Sequence, residues 1–296
     1  TLVVLQAVAS FAVGRMIRVI APKALGWGLA ALAFYLFVPM TVSAFVWWSA
    51  GLNTLPMQAA MAIVVANAVL LVRDRPDATR SRRLLIGAVV AFAVALLFFE
   101  KSLFIVPVAF VAALLAVRGS TRPQWTGGEV DYRNTPLTQT FVRARTLWLT
   151  LGGLFVAWTV LFLATSDATA GEHSISQTLH LVWRSINNAI IPSLVGGPWT
   201  WERWTPSPPM GFPSVWMIVL GWLVLVALIV ATVKFKRGAP TIWVFALLYA
   251  VGAQLPVMWN RSSENTALEL AQTMRYLPDT ALVLTIAFAL IAAALA

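Results

Sequence analysis

No cysteine occurs anywhere in the 296 residues. That excludes disulfides, iron–sulfur clusters and thiolate zinc sites. Histidine is nearly absent as well: His173 and His180 leave little for a histidine-based metal centre. Charge is scarce. Asp, Glu, Lys and Arg together make up 11% of the chain, where a soluble domain carries roughly 25%. Acid is the scarcer sign, with 11 acidic residues against 21 basic ones. Also missing are a Gly-rich phosphate cradle, a zincin motif, a nucleophile elbow and a CxxC pair. No metal site or cofactor is indicated, and a divalent cation finds no support in these residues.

What remains is apolar. Hydrophobic residues form 60% of the chain and mean hydropathy is +0.82. A chain so poor in charge cannot cover itself with a polar surface, so its solvent is largely lipid. Taking about 20 apolar residues per span, nine segments qualify, near 1–14, 24–46, 55–72, 84–99, 102–117, 147–165, 214–233, 240–259 and 277–296. The expected fold is all-α: one polytopic transmembrane domain over 1–296 with one interfacial helix in an outer loop. The first span starts inside an apolar run, with no basic region before it, so the chain reads as a fragment of a longer protein.

The net charge of +10 does not describe a nucleic-acid surface, because the cations sit in short loops. Loops 15–23, 73–83, 118–146 and 234–239 hold 16 of the 21 basic residues. By the positive-inside rule these are cytoplasmic and 166–213 is extracytoplasmic. The stretch 84–117 is interrupted only by Glu100 and Lys101. It reads as two short helices meeting at the outer surface; the alternatives are a re-entrant hairpin or one span with a buried ion pair.

The outer side holds the candidate functional groups. Trp47 and Trp48 suit an aromatic belt, but Asn53 and Gln58 add amides able to bind a head group or sugar. Glu100 and Lys101 are either a snorkelling pair that ends two helices or a charged group placed for a phosphate or an acceptor. Residues 174–191 put Ile175, Leu179, Val182, Trp183, Ile186 and Ile190 on one helical face, with Gln177, His180, Arg184 and Asn188 on another. That pattern is an amphipathic helix lying on the outer leaflet, serving as a lid or as a binding surface. After Pro192 comes a segment rich in Gly, Pro and Trp, including Trp201 and Arg203, suited to cover a site. Arg275 and Tyr276 precede the last span; Arg275 either pairs with Asp279 or offers its fork to a lipid phosphate.

These features together resemble the GT-C superfamily of membrane glycosyltransferases. The similarity is carried by WWSAGLNTLPMQ at Trp47–Gln58, FFEKSLF at Phe98–Phe104 and MRYLPD at Met274–Asp279. It extends loosely over most of the chain as an order of features. The resemblance implies a helical bundle in a bacterial plasma membrane. It also implies transfer of a sugar from a polyprenyl phosphate, on the extracytoplasmic face, to a cell-envelope acceptor. It places the essential carboxylate in a first outer loop, upstream of Thr1, so none of these residues inherits that role. The rival expectation is a non-enzymatic transporter or flippase for a lipid or small solute; a scaffold subunit without a site is the third.

Overall fold

The computed structural model describes residues 1–118, 135–165, 173–205, 208–236, 238–263 and 265–295. Most of the loop 118–146, and positions 166–172 and 206–207 of the outer loop, lie outside the described residues. So does Arg237.

The chain is helical nearly throughout. In order come α1 (Leu2–Ile20), α2 (Leu25–Phe37), α3 (Pro39–Val46), α4 (Trp48–Arg73), α5 (Ala78–Phe98), a 3-10 turn (Glu100–Phe104), α6 (Ile105–Arg118), α7 (Pro136–Arg143) and α8 (Arg145–Thr165). Then follow α9 (Ile175–Ser185), a π-turn (Ile186–Ile190), α10 (Ile191–Ser193), strands β1 (Thr200–Glu202) and β2 (Met210–Phe212), α11 (Val215–Phe235), α12 (Ala239–Gly252) and α13 (Leu255–Trp259). Two 3-10 turns (Leu268–Gln272 and Met274–Tyr276) lead into α14 (Pro278–Leu295).

Seven helices among the described residues are long and apolar enough to cross a membrane, or up to eight if α2 and α3 count as one bent span; Pro278–Ala294 is a shorter apolar helix. The chain is therefore an integral membrane protein built as an all-α bundle. The bend of 50° between α2 and α3 falls at Pro39, whose missing N–H and fixed φ interrupt the ladder. The Thr41 N–H and hydroxyl both donate to the Val38 carbonyl, at 3.0 and 2.8 Å.

Helix bounds differ from the hydropathy reading in informative places. Segment 84–117 is two separate helical rods, of 21 and 19 residues, each long enough to span. The first starts earlier than its apolar run because Asp77 caps it, accepting from the Arg80 N–H at 2.8 Å. Helix α1 runs on to Ile20 and so carries Arg15 and Arg18, which the charge pattern had assigned to a loop. Arginine is a good helix former, and its long stem lets the charge reach the interface from inside a span.

Two compact units divide the chain. One comprises Thr1–Leu32, Leu52–Asp167 and Phe288–Ala296; the other comprises Ala33–Gly51 and Ala168–Ala287. In the first unit, Arg73 donates to the Val19 carbonyl and Arg143 to the Val72 carbonyl, at 2.8 and 2.9 Å. The ends of α1, α4 and α7 are thus joined by these two hydrogen bonds. In the second unit, α9 packs on the turn 268–272. Leu181, Val182, Met258, Ala271 and Tyr276 form an apolar cluster there.

Candidate functional site

The second unit holds a cavity of about 520 Å³, within the usual range for a small-molecule site. Its cations are Arg203 and Arg275, its aromatic faces Trp47 and Trp201, and its hydroxyls Ser43 and Thr273. Val42, Val46, Pro208, Pro209 and Met274 supply apolar wall, and no acid lines it among the described residues.

Helix α3 and the turn 274–276 pack together and bring Trp47 to Arg275. The Arg275 guanidinium lies 5.7 Å from the Trp47 ring and 4.7 Å from the Tyr276 ring, within cation–π range. It also donates to the Tyr276 hydroxyl. Tyr276 does not line the cavity. It is rooted in the apolar cluster, 8% exposed, with Arg261 4.9 Å from its ring, and Gln254 donates to its carbonyl. Tyr276 therefore acts as a post that fixes Arg275. Asp279 does not hold Arg275; its carboxylate accepts from the Tyr249 hydroxyl at 2.8 Å.

Three polar atoms on the cavity's lining residues are buried and find no hydrogen-bond partner: Ser43 Oγ, Thr273 Oγ1 and Arg275 Nε. Leaving such a group unsatisfied costs about 1–3 kcal/mol, so three around one cavity is a concentration of unmet hydrogen bonding. The covering wall is a short hairpin in which β1 pairs antiparallel with β2, Trp201 opposite Gly211. Gly211 is required by packing: a Cβ there would fall 2.1 Å from a ring carbon of Pro198. The Gln272 amide also donates to the Gly211 carbonyl, tying the hairpin to the turn 268–272.

Of the outer residues named from sequence, Trp201, Arg203 and Arg275 meet at this cavity. Arg184 is placed otherwise. Its Nε donates to Gln272 Oε1 at 2.6 Å, and its Nη2 lies 3.4 Å from Glu269, which makes it a strut between α9 and the turn. His180 stays exposed on α9. On that helix Ile175, Leu179 and Trp183 are exposed while Thr178, Leu181, Val182 and Ser185 are buried. The first unit holds the remaining candidates. Asn53 is exposed in the first turns of α4, where Gln58 is wholly buried. Glu100 is exposed, but Lys101 is 3% exposed rather than the free surface cation its position suggested. Glu202 is exposed and accepts from the Trp204 indole at 3.3 Å.

Sequence reasoning missed Ser43 and Thr273. A lone hydroxyl in an apolar helix carries no motif, although Thr273 directly precedes the MRYLPD segment. Chemically, the cavity offers two guanidiniums, two hydroxyls and two indole faces. That set suits an anionic, partly apolar ligand; it contains no carboxylate to act as a general base. No group of His, Asp or Glu suited to a metal ion occurs among the described residues. Comparison with protein-family models, with curated proteins and with solved structures finds no match to this chain.

Proposed function

We propose that this protein transfers a sugar from a polyprenyl phosphate to a cell-envelope acceptor on the extracytoplasmic face of a bacterial plasma membrane. The observation that carries the reading is the set of unpartnered atoms on Ser43, Thr273 and Arg275 around one cavity. A phosphate supplies acceptor oxygens of the kind these donors lack, and guanidinium binds it with matched geometry. The tryptophan faces suit a sugar ring, and the apolar wall suits the first isoprene units. The order of features, which resembles that of GT-C enzymes, favours a lipid-linked donor over a soluble one. In this reading nine spans place the cavity at the outer leaflet, with 73–83, 118–146 and 234–239 cytoplasmic and 166–213 outside. Arg275 holds the donor phosphate, Arg203 and Trp201 cover it, and the general base comes from outside these residues. Buried Lys101 is a weaker candidate for the phosphate than Arg275.

The test is donor binding and sugar transfer by purified full-length protein. A charge-assisted hydrogen bond is worth roughly 1.5–3 kcal/mol, so Arg275→Ala weakens donor use about 10- to 100-fold. Lys23→Ala, an exposed loop cation, matches the wild type. If the wild type neither binds nor turns over any polyprenyl-phosphate sugar, yet moves a solute across vesicles, the transporter reading replaces this one. Orientation is checked separately: a cysteine at Ser176 reacts with an impermeant thiol reagent in intact cells and one at Ser81 does not.

A further inference from the structure

The first unit has its own cleft, of about 610 Å³, lined by residues of α1, α4 and α5. It combines an apolar wall with two guanidiniums, and the proposed transfer reaction uses none of it. The wall is Ala7, Val8, Phe11, Ala12, Ile63 and Leu84; the polar groups are Arg15, Asn67 and Arg83.

The polar end is assembled by the bundle. Asn67, 4% exposed near the C-terminal end of α4, donates to the Leu84 carbonyl of α5 at 2.9 Å and accepts from Arg15 at 2.8 Å. Gly87 permits this approach, since a Cβ there would sit 3.3 Å from the Asn67 amide nitrogen. The Arg15 guanidinium is thereby held through one nitrogen, leaving its other donors for a ligand. Among the described residues neither Arg15 nor Arg83 pairs with an acid. The two acids of the adjoining turn are committed elsewhere: Asp74 to Arg73 at 2.7 Å and Asp77 to the cap of α5. Positive charge is crowded at this pole, where burial and then the neighbouring Arg75 hold Arg143 below its usual value.

Depth and direction select the ligand. Arg15, Asn67 and Arg83 each lie five or six residues inside the nearest end of α1, α4 or α5, or roughly 8 Å at 1.5 Å per residue. That is about the thickness of the bilayer's polar layer. Above Arg15, Val4, Val8 and Phe11 run up the same face of α1 at helical spacing, with exposures of 63%, 51% and 79%. A head-group-level pair of cations beneath an exposed apolar stripe matches an anionic head group with an acyl chain attached.

We propose that this cleft is a binding site for an anionic glycerophospholipid. Its phosphate sits between Arg15 and Arg83, and one acyl chain lies along Val4, Val8 and Phe11. The site is separate from the donor cavity and belongs to the pole that carries the basic loops.

The experiment is native mass spectrometry of full-length protein released from nanodiscs of mixed phosphatidylglycerol and phosphatidylcholine, with free inorganic phosphate as a second arm. Wild type retains phosphatidylglycerol over phosphatidylcholine. Arg83→Gln, at an exposed position, lowers that preference about 3- to 10-fold, and Arg15→Gln with Arg83→Gln abolishes it. Arg82→Gln, a neighbouring exposed cation that does not line the cleft, leaves it unchanged, and inorganic phosphate does not displace the lipid. The inference is overturned if the double variant keeps the wild-type preference or if Arg82→Gln loses as much as Arg83→Gln. It is equally overturned if inorganic phosphate displaces the phosphatidylglycerol. Sugar transfer does not enter the readout, so failure here leaves the donor-site reading standing.

Discussion

Two arginines in one unit contrast a cation tied to protein acceptors with one that keeps a buried, unpartnered nitrogen. At the seam between α9 and the turn 268–272, Arg184 is committed to Gln272 and Glu269. At the corner between α3 and the turn 274–276, Arg275 rests on the rings of Trp47 and Tyr276, and its Nε has no partner. Both are partly buried and both lie near a cavity-covering hairpin. The seam has satisfied its polar groups internally; the corner has collected three it cannot satisfy, on Ser43, Thr273 and Arg275. Buried polar groups in folded proteins find partners, so the corner is where the oxygens of the proposed donor would complete the structure.

The contrast breaks if the two arginines respond alike to substitution. The largest expected effect on folding belongs to the seam. Gln272 is 1% exposed and joins Arg184 to the Gly211 carbonyl, so Gln272→Leu strands groups on both sides and costs about 2–3 kcal/mol of stability. Arg184→Ala costs less, about 1–2 kcal/mol, because its ion pair with Glu269 is partly solvated. Equilibrium unfolding in detergent measures both, and donor affinity per folded molecule stays within twofold of wild type. Arg275→Lys sharpens the comparison from the other side. It keeps the charge but loses the fork and much of the ring stacking, so donor affinity falls about 3- to 10-fold with little change in stability. The smallest effect has the opposite sign. Thr273→Val removes an unsatisfied hydroxyl, so the ligand-free protein becomes up to about 1 kcal/mol more stable while donor affinity drops. A Thr273→Val protein that is destabilised, or that binds donor as wild type does, would show that this hydroxyl is not waiting for a ligand.

The helical bundle was legible because lipid solvent leaves so few alternatives: a chain with 11% charge must satisfy its backbone internally. Hydropathy alone could not see where α5 begins, because a cap at Asp77 outweighs the polar Arg80, Arg82 and Arg83 that follow. Trp201, Arg203 and Arg275 were recoverable by chemistry type and topological side, and they do meet. The role of Arg184 was not recoverable. Its partners lie 85 and 88 residues away, and no local spacing tells a strut from a free fork. Ser43 and Thr273 were missed for a related reason: a hydroxyl matters here only because packing denies it a partner.

The most direct measurement is a cryo-EM structure of the full-length protein with a polyprenyl monophosphate sugar. The account predicts the phosphate on the Arg275 guanidinium at roughly 3 Å, with Thr273 or Ser43 as a second donor and the sugar against Trp47 or Trp201. A donor phosphate seated elsewhere, with the Arg275 corner still vacant beside it, would contradict it.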